Sequence, residues 1–160
     1  MTALPRVSAG GVELTLPPGW ERLEKPEYTL VVAGPERVAT ATGDVFRASL
    51  NAIVVPVAAD ADIRTLGTEA IAAAHVIGDG AHVLAYDVWS RPHGVPGRRL
   101  ELTYRQGPFA LGVVQWIALG DGLATTLTAT YTVGRPADRA LAEALADSAL
   151  LPGETHEEDR

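Results

Sequence analysis

The chain contains no cysteine. That absence excludes a disulfide, a thiolate metal site, a thiol nucleophile and a lipid-anchoring cysteine near the amino terminus. Long apolar runs are missing too: no stretch approaches the ~20 residues needed to cross a bilayer as a helix. The opening residues lack a basic region followed by an apolar run, so a cytoplasmic location is the expectation. Positive charge is scarce, with a formal net charge of −7. Phosphate backbones are held by clustered Lys and Arg, and the pair Arg98 and Arg99 is too small a cluster, so no nucleic-acid partner is expected. Catalytic signatures are also absent. No serine sits in a Gly-x-Ser-x-Gly elbow, and the glycine-rich pieces at Ala9-Gly10-Gly11 and Gly78-Asp79-Gly80 lack the spacing and following Lys of a phosphate loop.

What is present is an ordinary globular composition, 47% hydrophobic and 21% charged. A chain of 160 residues makes one domain and buries roughly 70% of the surface its unfolded form exposes. The expected division is a flexible amino terminus over 1–11, a single domain over 12–151 and an acidic disordered tail over 152–160. Part of the charge excess falls in that tail, at Glu154, Glu157, Glu158 and Asp159, where no hydrophobic residue would hold it down.

Alternation and turn residues place strands at Val12–Leu16, Tyr28–Ala33 and Phe46–Val57, with Trp20 plugging one end of the core and Glu36–Asp44 as a loop. Apolar residues on both parities of Phe46–Val57 predict a strand inside the sheet, buried on both faces. Asp60 and Asp62 are capping carboxylates for a first helix whose apolar stripe runs from Ile63 to Ile77, ended by Gly78-Asp79-Gly80. Four strands follow, His82–Arg91, Arg98–Gln106, Phe109–Leu119 and Leu123–Val133. Their connections are short enough to force antiparallel neighbours, most firmly at Gly120-Asp121-Gly122. The last strand sets Leu127, Ala129 and Tyr131 against a face of threonines, Thr126, Thr128, Thr130 and Thr132. Pro136 opens a closing helix that reaches about Leu150. The fold class is therefore α+β, an antiparallel sheet of about six to seven strands with helices packed on it.

Candidate chemistry is sparse. His75, His82, His93 and His156 have neither the i, i+4 helical pair nor a close strand pair that favours metal ligation, and no metal or cofactor is expected. Asp87 and Glu101 fall on successive strands. If they face one side they could act as an acid/base pair with a raised pKa, whereas nearby Arg98, Arg99 and Arg105 favour cross-strand ion pairing. The aromatic residues Tyr86, Trp89, Tyr104 and Trp116 lie on consecutive strands of the meander beside Arg91, Arg99 and Arg105. Two readings follow: a shared aromatic and arginine surface for a partner, or a core in which Trp116 and Tyr104 lie under a helix.

Several cues in this order resemble the PsbP-like superfamily. They are Leu16-Pro17-Pro18-Gly19-Trp20, the Phe46-Arg47-Ala48-Ser49-Leu50-Asn51 strand opening, Val95-Pro96-Gly97, Gln115-Trp116, Asp121-Gly122 and Leu127-Thr128-Ala129-Thr130 before a closing helix. The resemblance spans about Val12 to Leu151. It is nearest to LpqN-type proteins of actinobacteria and extends to small secretion-effector chaperones. It implies an α/β/α sandwich around an antiparallel sheet and a role in binding proteins or envelope components, with no shared catalytic residues to carry over. The export signal and lipidated cysteine of LpqN-type lipoproteins have no counterpart here, so an envelope role does not transfer.

The leading expectation is a non-enzymatic binding module, an adaptor or chaperone with a protein partner that contacts Tyr86, Trp89, Arg91, Arg99, Tyr104 and Trp116. A small-molecule or lipid carrier, with its ligand between the sheet and the 36–44 loop, is the second reading. A hydrolase-like enzyme using Asp87, Glu101 and a histidine is the third. Sheet edges and apolar faces of such a fold are often covered by a second copy, which makes a symmetric homodimer an expectation as well.

Overall fold

The computed structural model describes residues 3–91 and 96–154. Its elements run β1 (Arg6–Ala9), β2 (Val12–Thr15), β3 (Glu21–Leu23), β4 (Leu30–Ala33), β5 (Arg37–Val38), β6 (Val45–Phe46), β7 (Ser49–Pro56), α1 (Ile63–Ala74), β8 (Asp79–Trp89), β9 (Gly97–Gln106), β10 (Phe109–Gly120), β11 (Leu123–Thr132) and α2 (Pro136–Ser148). Short glycine-containing connections make the last four strands a meander, and β7 then pairs with β11. The result is one seven-stranded antiparallel sheet in the order β3-β4-β7-β11-β10-β9-β8.

Period-two alternation divides the side chains between two layers. Val114, Trp116, Leu127, Ala129, Tyr131, Leu50 and Leu30 point to one face, where α2 and the β1–β2 hairpin cover them in the larger core. Leu100, Leu102 and Val113 point to the other, beneath Ala70, Ile71 and Ala74 of α1. One helix on each face gives the expected α/β/α layering. Asp62 caps α1, its carboxylate accepting from the Thr65 amide at 3.2 Å, and Pro136 stands in the first turn of α2.

Four details depart from the sequence reading. Ordered structure begins before Val12, because β1 pairs with β2 across Gly10 and Gly11, both at positive φ. The 36–44 segment is largely the expected loop, but Arg37–Val38 pairs with Val45–Phe46, so the loop is the tip of a small hairpin. Its β5 and β6 flank a turn in which Asp44 accepts hydrogen bonds from the Thr40 and Thr42 hydroxyls, and these hold its carboxyl below the usual range. Helix α1 stops at Ala74, and Asp79-Gly80, taken as the terminator, already belong to β8. Finally, β7 lies inside the sheet as expected, yet Ile53 and Val55 are exposed on the α1 side. The reason is reach: α1 contacts β8, β9 and β10 and leaves the β7 half of that face uncovered.

Gly97 opens β9 directly over β10, where a β-carbon would collide with the Ile117 carbonyl oxygen and crowd the Trp89 ring. The obstacle is backbone and cannot rotate away. Gly97→Ala is expected to lower stability by ~1–3 kcal/mol, as overpacking does, read as a lower midpoint in urea with an unchanged slope.

Candidate interaction surface

Trp89 ends β8 with its ring buried against Trp116, the two centroids 6.3 Å apart and the planes at 51°. Its indole nitrogen donates to Asp147 of α2 at 3.2 Å. Two residues later the Arg91 guanidinium lies over the Trp89 ring, 4.4 Å from its centroid. The Arg91 side chain is only 4% exposed, and each guanidinium nitrogen is occupied. Nε and Nη2 donate to the two oxygens of Glu154 at 2.8 and 2.5 Å, while Nη1 and Nη2 donate to the carbonyls of Ala146 and Ala149 at 3.2 and 2.6 Å. A cation thus closes the negative end of α2 and fixes the segment beyond it, where Glu154 also accepts from the Leu151 amide. Glu154 is therefore a largely buried anchor and not part of a free acidic tail. The remainder of that tail, 155–160, lies outside the described residues.

On the same face Arg99 projects from β9 toward α2. It donates to Glu143 at 2.5 Å and to Glu101 at 3.2 Å, with Asp87 at 4.0 Å. Arg139 donates to Glu101 from the opposite side at 2.9 Å. Burial works against the charge of Arg99, but the hydrogen bonds to Glu143 and Glu101 outweigh it and raise its pKa. Glu101 is buried and needs both guanidiniums, since an unpaired carboxylate there would be strongly destabilising. Burial, reinforced by the Glu101 charge, raises the pKa of the nearby Tyr131 phenol.

The opposite face of β8 carries different chemistry. Val83, Tyr86 and Val88 register with Leu102, Leu100 and Arg98, placing them on the α1 side, where the Tyr86 ring reaches Gly67 of α1. Tyr104 lies there too, half-buried against the small core, and burial raises its pKa. Beyond β8 no described strand follows, so this eleven-residue strand is an outer edge of the sheet. Leu84 and Val88 are each 59% exposed and Tyr86 37%. Val76 and Ile77, after α1, are exposed as well. Register shifts at 79–82 and 83–85 interrupt the pairing of β8 with β9, leaving the stretch from Ala85 to Trp89 regular.

The six residues expected to form one surface are thus divided. Trp89, Trp116 and Arg91 are interior, and Arg99 is bound into an ion-pair network, all on the α2 side, whereas Tyr86 and Tyr104 face α1. Strand parity separates the five that lie on strands: residues register-paired across β8, β9 and β10 share a face, and these five fall on both. Asp87 and Glu101 do share a face, with Arg99 pairing to both, as a cross-strand ion pair would have it. His75 and His82 are exposed, His93 and His156 lie outside the described residues, and no described group of His, Asp and Glu could hold a metal. Between the β5–β6 hairpin and the sheet is a cleft of about 70 Å³ lined by Trp20, Phe46 and Arg135 among others. A depression of about 370 Å³ beside β3 is formed by the single stretch from Arg22 to Val31. The residues missed by the sequence reading are Asp147, Glu143, Arg139 and Glu154. Their contacts reach across 38 or more positions and leave no local signal.

No protein-family model and no curated sequence matches the chain. Solved structures do. Cyanobacterial PsbP (CyanoP) from Synechocystis is similar at a TM-score of 0.67 and 16% identity, over 94% of each chain. LpqN of Mycobacterium tuberculosis, described as involved in cell envelope biogenesis, is similar at 0.67 and 14% identity, over 92% of this chain and 90% of its own. The Ran-binding protein Mog1p of Saccharomyces cerevisiae is similar at 0.59 and 9% identity, over 92% and 96%. The chain has a PsbP-like fold. No described helix is long and apolar enough to cross a membrane.

Two measurements check this description. Arg91→Ala strands the Glu154 carboxylate and the last carbonyls of α2, and should cost ~3–5 kcal/mol in denaturant unfolding. In a spectrophotometric titration, Tyr104 and Tyr131 should ionise above the ordinary value of 10.0. Because their folded pKa values are raised, their contribution to stability is complete below pH 10 and is lost as pH climbs through the folded values. Tyr131→Phe should flatten that alkaline loss.

Proposed function

We propose that the chain is a protein-binding module of adaptor or chaperone type, and that its partner docks along the outer edge of β8. One observation carries the reading. Among the described residues this long strand has β9 on one side only; its exposed Tyr86 and Val88 form an apolar strip beside α1, and Leu84, at the register shift, is exposed next to them. Unpaired backbone groups on an edge are a template for another strand, and apolar side chains alternating along it supply pockets for specificity. Native edges are usually short or charged, which makes an eleven-residue edge with large apolar residues a docking candidate. Mog1p, a Ran-binding protein that shares the fold, supports a protein partner. The ion network at Asp87 and Glu101 is a better brace for α2 than a catalytic pair, since Arg99 and Arg139 occupy the buried carboxylate.

The carrier reading has less support. Ligand pockets run to about 300–1,000 Å³, whereas the cleft under the β5–β6 hairpin offers about 70 Å³.

Leu84→Lys and Val88→Lys place charge on the strip without touching either core. Captured from native lysate after mild cross-linking, the variants should retain about tenfold less of the partner held by the parent chain. Their melting temperature should move by no more than ~2 °C, as for surface substitutions. Equal recovery of that partner by both variants would place docking elsewhere.

A further inference from the structure

The two sides of the β8 edge differ in charge as well as polarity. On the α1 side stand the exposed Tyr86 and Val88, with Val83 partly buried below them and a single cation, Arg98, in register with Val88. On the α2 side stand Asp79, His82, Ala85 and Asp87, in register with Arg105, Thr103, Glu101 and Arg99. Asp79 has Arg105 opposite. Asp87 is less well matched: its side chain is 62% exposed and 4.0 Å from Arg99, whose shorter bonds go to Glu143 and Glu101. Asp147, exposed on α2, accepts from Trp89 at the end of the same strand. Around the regular stretch Ala85–Trp89, the carboxylates of Asp87, Glu101, Glu143 and Asp147 stand against the guanidiniums of Arg99 and Arg139. Arg91 and Glu154 cancel one another nearby. This side of the edge is therefore net acidic.

From this asymmetry we infer that the β8 edge takes an extended segment whose residues alternate between apolar and Lys or Arg. Period-two geometry sends every second side chain of an added strand to the same face. The apolar set would lie along Tyr86 and Val88 beside α1, and the basic set would meet Asp87 and the carboxylates behind it. The inference rests on the proposed docking strand. A second copy of this chain is the poorer occupant, because its own β8 would bring Asp79 and Asp87 and no Lys or Arg. Like charges across a pair of strands are destabilising.

The test uses the whole chain and three labelled synthetic peptides: one alternating Val and Lys, one alternating Val and Glu, and one with the Val and Lys residues in separate blocks. By fluorescence anisotropy the alternating Lys peptide should bind at least about tenfold tighter than the other two, and its affinity should fall as salt is added. Asp87→Asn should remove most of the preference over the Glu peptide, and Val88→Lys should abolish binding. If the Lys and Glu peptides bind equally and both are lost in Val88→Lys, the edge stands and the charge selectivity is wrong. Binding that persists in Val88→Lys locates the peptide off the edge and overturns both readings. Failure of the Lys peptide to bind, or a dimer by sedimentation that Val88→Lys dissolves, overturns the inference in favour of another occupant.

Discussion

Arg91 is the interaction on which the α2 layer depends. It follows the end of β8 two residues after Trp89 and directs its donors to Glu154, Ala146 and Ala149, so the edge strand, the carboxyl end of α2 and the 151–154 segment meet at one cation. Taking a guanidinium out of water is costly, and only full hydrogen bonding with an opposing carboxylate offsets it. That requirement fixes geometry. With the end of α2 held, Leu145 and Ala146 stay over Trp116, and Glu143 and Arg139 stay in reach of Arg99 and Glu101. The buried Glu101 would otherwise be an unpaired charge inside the domain.

The two sheet faces are consequently unequal. The α2 face is closed by a helix, the β1–β2 hairpin and two sets of ion pairs. The α1 face is closed over three strands only, beginning at the outer edge β8 and ending short of β7. A lightly covered region remains over β7 and β11, two strands away from the β8 edge, where Thr126, Thr128 and Thr130 stand beside Ser49, Asn51 and the exposed Ile53. Rigidity on one side and an open strand on the other is an arrangement suited to binding, because recognition groups are best held by elements that do not move.

Much of the fold was legible in the sequence because it is set by local signals. The meander follows from turns such as Gly107-Pro108 and Gly120-Asp121-Gly122, and the two helices from their stripes and from Asp62 and Pro136. The PsbP-like order of elements followed from those. Less legible were features set by distant chain segments. Glu154 reads as a tail residue until Arg91 reaches it across 63 positions. Arg6–Ala9 carries little apolar signal, and its pairing to β2 is made by the turn at Gly10 and Gly11. The candidate surface was half legible. Tyr86 does lie at an exposed edge, but the faces of Trp89, Tyr104 and Trp116 depend on register and on which helix covers which strands, and nothing local marks Leu84 and Val88 as exposed.

The central claim is that β8 is an open edge held ready by a rigid domain, and amide hydrogen exchange on the isolated chain tests it most directly. Outward-facing amides of β8 should exchange quickly while those of β10 and β11, paired on both sides, exchange only by global unfolding. Adding the captured partner should slow the β8 amides selectively. Slow exchange along β8 in the isolated chain, or partner protection confined to other elements, would contradict the account.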